Sequence, residues 1–198
     1  MEGAMAQRIY MMGDSHVGSK IYPRKIEEVI QSKYPDIQFS YWYKNGLRFS
    51  NFKTNSEYYN RIDAFKPDIL ILNMGTNEAY TNRYSSSRFE QNLEGFYAGL
   101  IKKLPEVKVV FITPYTNKLK VEGGYEINNN NRKVSDEILE FVKTHPNTYA
   151  VDINGEVGTK FVNSPKLIRD NVHLTADGYN ILGEQVGKSL LEIENLWP

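Results

Sequence analysis

A serine and a histidine–aspartate pair are the residues of this sequence best suited to chemistry. Ser15 lies in the segment GDSH, directly after an apolar run, and Asp170 and His173 lie three residues apart in DNVHLTADGY. At that spacing a carboxylate can hold the Nδ1–H of the imidazole, which leaves Nε2 to take a proton from a serine hydroxyl. The three side chains together predict nucleophilic attack by Ser15 on an ester carbonyl.

Two further segments contain groups that can stabilise the negative oxygen formed in such an attack. Asn77, in MGTNEAY, offers a side-chain amide, and Gly46, in YKNGLRF, offers a backbone N–H. Donors of this kind stabilise a tetrahedral oxyanion. Simpler roles stay open: Ser15 as a helix N-cap, Gly46 and Asn77 as turn residues, and the histidine–aspartate pair as a surface pair.

Alternating apolar runs and helical patterns must position these residues. The predicted strands span 8–12, 37–43, 68–73, 108–113 and 148–153, and the predicted helices span 19–33, 56–65, 85–104, 129–144 and 176–194. This alternation favours an α/β sandwich with a parallel sheet covered on both faces. The polar segments follow the strands, and ligands of such sheets bind at the carboxyl ends of the strands. We therefore expect the candidate residues to meet at one edge of the sheet.

The composition limits the classes of function. The 198 residues fit one domain spanning 1–198, with residues 1–6 as a possible cloning remnant. With 24 basic and 24 acidic residues the net charge is zero, which gives no indication of a nucleic-acid partner. No apolar run is long enough to span a membrane. The absence of cysteine excludes disulfides and a cysteine nucleophile, and leaves open a cytoplasmic, secreted or periplasmic location.

The four segments together resemble the SGNH hydrolase superfamily, also called GDSL esterases and lipases. GDSH matches its first block, Gly46 the second, GTN with Asn77 the third and DNVHLTADGY the last. The resemblance implies a three-layer α/β/α sandwich, flavodoxin-like, with a five-stranded parallel sheet of order 2-1-3-4-5 and no metal or other cofactor. It also implies Ser15, His173 and Asp170 as catalytic residues, and the Ser15 and Gly46 backbone N–H groups and the Asn77 amide as oxyanion donors.

The histidine of GDSH narrows the resemblance toward carbohydrate O-acetylesterases, including those that act on peptidoglycan. The expected substrate is therefore a short-chain, acetyl ester on a carbohydrate. Candidate substrate-binding residues are Asp14, His16, Arg48, Tyr80 and Tyr115. The alternatives are a short-chain thioesterase or lysophospholipase, an acyltransferase on the same residues, and a non-catalytic carbohydrate-binding protein.

Two further residues and one segment complete the predictions. Asp152, at the end of the last strand, is an alternative partner for His173, although its position in the sequence makes it the weaker candidate. His145 precedes a proline in KTHPN and is assigned no chemistry. The polar segment Thr116 to Asn131 is predicted to be a long surface loop, with a lid over the substrate as the alternative.

Overall fold

The strands form one five-stranded sheet in which all neighbours are parallel. The computed structural model describes residues 7–80, 83–115, 124–155, 164–170 and 172–198. The strands are β1 (Arg8–Gly13), β2 (Gln38–Tyr43), β3 (Ile69–Asn73), β4 (Lys108–Ile112) and β5 (Thr148–Val151). Their order, β2-β1-β3-β4-β5, confirms the predicted α/β fold and strand order. All five predicted strands are present, with small differences at their ends.

Helices cover both faces of this sheet. They are α1 (Ile21–Gln31), α2 (Asn51–Thr54), α3 (Glu57–Phe65), α4 (Thr76–Ala79), α5 (Ser86–Lys103), α6 (Gly124–Thr144) and α7 (Ala176–Leu191). Thr175 caps α7, because its side chain accepts a hydrogen bond from the N–H of Gly178 (3.2 Å). No helix in the described ranges is both long enough and apolar enough to cross a bilayer.

The alternation of side chains along β1 builds two separate cores. Ile9 and Met11 lie on the face covered by α1 and α7, whereas Tyr10 and Met12 lie on the face covered by α3 and α5. All four side chains are buried. A strand that is apolar on both faces belongs inside such a sheet, so β1 lies between two hydrophobic layers and its last residue has a fixed position.

The register brings the ends of three strands to the same height. Gly13, the last residue of β1, lies opposite Tyr43 of β2 and Asn73 of β3. The segments that begin with Asp14, Lys44 and Met74 therefore leave the sheet side by side. This edge is where the sequence places the serine, glycine and asparagine segments.

The predicted surface loop over 116–131 is wrong in its second half, because α6 begins at Gly124. Asn131 is buried and its side-chain amide donates to the carbonyl of Tyr115 (3.2 Å). Asn130 donates in the same way to the carbonyl of Ala79 (3.2 Å). Part of the polar run thus donates hydrogen bonds to the backbone carbonyls of Tyr115, after β4, and Ala79, after β3, instead of facing water. The other residues considered as a lid, 116–123, lie outside the described residues.

Candidate active site

Ser15 and His173 lie in direct contact although 158 residues separate them in the sequence. The Oγ of Ser15 is 2.7 Å from Nε2 of His173. Ser15 lies in a bend after β1, and a short 3₁₀ turn (Val17–Ser19) separates it from α1. The N-cap of α1 is Lys20, so the alternative role of Ser15 as a cap of this helix is wrong. The hydroxyl instead faces a base that can accept its proton.

Asp170 holds the other nitrogen of the His173 ring. Its two carboxylate oxygens lie 3.1 and 3.0 Å from Nδ1, and Oδ1 also accepts the backbone N–H groups of Val172 (2.8 Å) and His173 (2.6 Å). Burial raises the pKa of Asp170, but these hydrogen bonds outweigh burial and lower the pKa to about 2. The carboxylate therefore stays ionised and fixes the ring with Nε2 toward Ser15.

The loop that carries this pair is closed at its base. Ile168 and Leu174 form an antiparallel bridge, and the N–H of Arg169 donates to the carbonyl of His173 (3.0 Å). The N–H of Thr175, the cap of α7, donates to the carbonyl of Leu167 (2.9 Å). The tight turn explains why an aspartate three residues before a histidine can reach its ring.

Asp14 and His16, the residues on either side of Ser15, point inward. Asp14 is fully buried and His16 is 2% exposed. His16 Nδ1 pairs with the hydroxyl of Tyr179 (2.8 Å), and Oδ1 of Asp14 accepts the N–H of His16 (3.1 Å). Their predicted contact with substrate is not supported, because neither side chain reaches the surface. Both instead support the bend that presents Ser15.

Burial fixes the charge of His16. Burial, and next to it the charge of nearby His173, lower the pKa of His16 to about 3. The two imidazole rings lie 5.5 Å apart between centroids. A neutral His16 does not oppose the positive charge that His173 acquires when it accepts a proton.

The two other candidate oxyanion donors lie in the segments that follow β2 and β3. Gly46 lies at an exposed turn with φ of 78°, in which the N–H of Leu47 donates to the carbonyl of Lys44 (3.1 Å). Its positive φ favours glycine. The Asn77 amide donates to the Leu47 carbonyl (3.3 Å) and lies 3.5 Å from Oδ2 of Asp14. Asn77 therefore ties together the loops that follow β1, β2 and β3.

An open cleft of about 420 Å³ gives access to the serine and the histidine. Its lining includes Tyr43, Asn45 and Arg169, which the sequence analysis did not select. Tyr43 is 37% exposed and packs on Gly18, where an added Cβ would come within 2.8 Å of the ring. The sequence pattern indicates Tyr43 only as a strand residue. Its place as the last residue of β2 is the signal that could have identified it as part of the cleft.

Three other predicted substrate contacts lie elsewhere. Tyr115 is buried, and its hydroxyl donates to the carbonyl of Val172 (2.5 Å), so it supports the His173 loop from behind. Tyr80 is 46% exposed but is not among the described residues that line the cleft. Arg48 lines a neighbouring cavity rather than the cleft. None of the three contacts the space next to Ser15.

Asp152 and His145 have other partners than His173, in agreement with the sequence prediction. Asp152 accepts hydrogen bonds from the Thr113 hydroxyl and the Asn154 N–H (both 3.0 Å), so Asp170 and not Asp152 contacts His173. His145 stacks on Phe141 at 3.6 Å between ring centroids and pairs with Glu94, far along the chain from the triad. Within the described ranges, no three acidic or histidine side chains are grouped as metal ligands would be.

Several solved structures share this architecture. A peptidoglycan O-acetylesterase superimposes with a TM-score of 0.75 at 14% identity, covering 94% of this chain and 91% of that chain. An acetyl xylan esterase superimposes with a TM-score of 0.70 at 17% identity, covering 92% and 99% of the two chains. An acetylxylan esterase from Geobacillus stearothermophilus gives a TM-score of 0.71 at 16% identity, covering 98% of each. At these identities the likeness establishes the fold.

Family membership follows from the sequence profile. The profile of the GDSL-like lipase/acylhydrolase family matches residues 12–181, which is most of the chain and includes all four predicted segments. A search of curated protein sequences gave no significant match. The chain therefore belongs to the GDSL-like lipase/acylhydrolase family and is an SGNH-type carboxylic ester hydrolase.

Proposed function

We propose that this protein is a serine esterase that removes acetyl groups from a carbohydrate through an acyl-enzyme on Ser15. The observation that carries the proposal is the chain of contacts from Ser15 Oγ to His173 Nε2 (2.7 Å) and from His173 Nδ1 to Asp170 (3.0 Å) at the floor of an open cleft. An aligned nucleophile, base and carboxylate is the arrangement that acyl transfer requires.

In the first step, the Oγ of Ser15 bonds to the ester carbonyl carbon while its proton moves to Nε2 of His173. The backbone N–H groups of Ser15 and Gly46 and the Asn77 amide stabilise the negative oxygen of the tetrahedral intermediate. Among the described residues, no group accepts the N–H of Ser15 or of Gly46, so both donors are available. The weak 3.5 Å contact between Asn77 and Asp14 leaves one amide hydrogen to turn toward the same oxygen.

In the second step, the intermediate collapses and the carbon–alkoxide bond breaks. The alcohol leaves with the proton that His173 holds, and Ser15 keeps the acyl group. A water molecule then gives a proton to His173 and attacks the acyl carbon. Release of the carboxylic acid returns the proton to Ser15 Oγ, so that the enzyme is regenerated with no net change.

The shape of the cleft supports a carbohydrate ester as substrate. Tyr43 offers an aromatic ring beside Ser15, with Asn45, Ser19 and Arg169 as polar neighbours. An aromatic face with hydrogen-bonding groups around it suits a sugar ring, which is apolar on its faces and polar at its edges. The three acetylesterases with the same fold act on carbohydrates according to their descriptions.

The test compares p-nitrophenyl acetate, butyrate and octanoate with an acetylated xylo-oligosaccharide, using wild-type protein and Ser15→Ala. We expect the acetate to be the fastest of the p-nitrophenyl esters, release of acetate from the oligosaccharide, and no turnover by Ser15→Ala. Ser32→Ala is the matched control, since Ser32 is an exposed serine at the end of α1. Preference for octanoate would contradict the acetyl proposal, and equal rates for wild type and Ser15→Ala would contradict the mechanism.

A further inference from the structure

A cluster of three arginines lies in a cavity next to the catalytic cleft. The cavity has a volume of about 230 Å³, and its lining residues include Arg48, Arg83 and Arg88 together with Glu78 and Asn92. The protein has equal numbers of acidic and basic residues. Three arginines at one small cavity are therefore a local concentration of basic residues.

Two of these arginines, Arg48 and Arg88, carry charge that the described acidic residues do not pair. Neither Arg48 nor Arg88 forms an ion pair with a described acidic residue. Arg88 lies in the first turn of α5, which contains no acidic residue although the positive end of a helix dipole favours one there. The positive end of the α5 dipole thus adds to the positive charge of Arg48 and Arg88.

Glu78 compensates only part of the charge. It is 8% exposed; Oε2 accepts the N–H of Phe49 (3.3 Å), while Oε1 is buried without a hydrogen-bond partner among the described residues. Burial raises the pKa of Glu78 to about 7, although the Phe49 N–H and the charge of Arg48 act against this. Near a pH of 7 the carboxyl group is therefore protonated for part of the time, so it does not fully neutralise Arg48.

A path of contacts connects the cavity to the catalytic serine. Arg48 follows Leu47, whose carbonyl accepts the Asn77 amide, and Glu78 follows Asn77. Asn77 in turn lies beside Asp14, the neighbour of Ser15. Three residues, Leu47, Asn77 and Asp14, therefore separate Arg48 from the nucleophile along this path of contacts. An oligosaccharide bound at Ser15 extends along the surface over such a separation.

We propose that the arginine cluster binds an oxyanion carried by the substrate, on a sugar unit next to the acetylated one. The guanidinium group presents paired donors that match the oxygens of a carboxylate or of a phosphate ester, and both are the same oxyanion chemistry for this site. The inference rests on the proposed carbohydrate esterase function and extends it. The enzyme deacetylates acidic glycans in preference to neutral ones.

The first experiment measures binding without turnover. Ser15→Ala protein is titrated with methyl glucuronide, glucose 6-phosphate and, as the neutral control, methyl glucoside, and binding is followed by NMR. We expect saturable binding of one or both acidic sugars, and the comparison of the two identifies the source of the oxyanion. Equal shifts with the neutral sugar would overturn the proposal.

Variants then locate the binding site. Arg48→Gln combined with Arg88→Gln is expected to weaken binding of the acidic sugar by about 10-fold or more. The control is Lys102→Gln, which removes one positive charge from the same helix about 21 Å away. Equal weakening by the control would show a general charge effect and contradict the proposal. Arg88→Lys keeps the charge but not the paired donors, so an intermediate affinity is expected even if the double variant folds poorly.

The second experiment measures the preference for substrate. The ratio of kcat/KM for an acetylated acidic oligosaccharide to that for an acetylated xylo-oligosaccharide is expected to fall about 10-fold in the double variant, with hydrolysis of p-nitrophenyl acetate unchanged. An unchanged ratio would overturn this inference and leave the esterase proposal intact. Absence of turnover by wild type on every ester would overturn the esterase proposal, while the binding experiment would still decide whether the arginines hold an oxyanion.

Discussion

Two polar networks meet at the end of β1: an outer one that faces the cleft and an inner one that is buried. The segment GDSH contributes residues to both. On the outer side, Ser15 and His173 face the cleft, and the side chain of Asp170 is 46% exposed. On the inner side, Asp14 and His16 are buried and are held by backbone groups and by Tyr179. The outer network must exchange protons with a substrate and therefore needs access. The inner network keeps one geometry, and burial holds His16 in its neutral form.

Because the outer network is accessible and the inner one is buried, we expect substitutions in the outer network to reduce activity with little effect on folding. Ser15→Ala removes the nucleophile, and we expect kcat to fall by about 10⁴-fold or more on p-nitrophenyl acetate. The melting temperature should stay within a few degrees of wild type, because Ser15 is only partly buried. A large loss of stability would place Ser15 in the inner network.

Asp170→Asn tests the outermost member of the same network. An amide cannot hold the Nδ1–H as the carboxylate does, so we expect kcat to fall by about 10²–10⁴-fold, measured on the same ester. Asp152→Asn is the control, since Asp152 accepts its hydrogen bonds from Thr113 and Asn154. A larger loss in Asp152→Asn than in Asp170→Asn would reverse the assignment.

Tyr115→Phe tests whether the inner network positions the outer one. The change removes the hydrogen bond to the Val172 carbonyl, next to His173, and should lower kcat about 3- to 10-fold while the free energy of unfolding falls by about 1 kcal/mol. Tyr97→Phe is the matched control, because Tyr97 is equally buried and its hydroxyl donates to the carbonyl of Pro146 (2.8 Å).

Urea unfolding and kcat are measured for both tyrosine variants. We expect a similar loss of stability in the two variants and a loss of activity in Tyr115→Phe alone. Equal activities would show that Tyr115 supports the fold without positioning the His173 loop.

The smallest expected effect is a change in the pH dependence of stability. Burial raises the pKa of Asp14 from 3.8 to about 7. The folded protein holds this proton more tightly than the unfolded chain, so the contribution to stability is complete below about pH 4 and is lost as the pH rises through 7.

Asp14→Asn removes this titration. The stability of the variant relative to wild type should therefore increase between pH 4 and pH 8, as measured by urea unfolding at several pH values. A constant difference across that range would show that Asp14 is not buried as a protonated carboxyl group.

The sequence predicted the outer network better than the inner one. Asp170 and His173 are three residues apart and the Ser15 segment follows an apolar strand, so spacing and topology made these residues candidates, and the resemblance of the four segments to the SGNH hydrolase superfamily implied their roles. The inward direction of Asp14 and His16 depends on their packing against Tyr179 and Tyr115, residues distant in sequence. The signal that the sequence offers is the alternation of side-chain direction along β1. If it continues past the end of the strand, Asp14 and His16, two residues apart, point to the same side.

The most direct test of the account is covalent labelling of the nucleophile. Wild-type protein, Ser15→Ala and Ser32→Ala are incubated with an alkyl fluorophosphonate, which phosphonylates activated serine hydroxyls with loss of fluoride, and intact masses are measured. We predict one adduct on wild type and on Ser32→Ala, located at Ser15 by peptide mapping, and none on Ser15→Ala. An adduct of equal extent on Ser15→Ala, or none on an active wild-type protein, would contradict catalysis through Ser15.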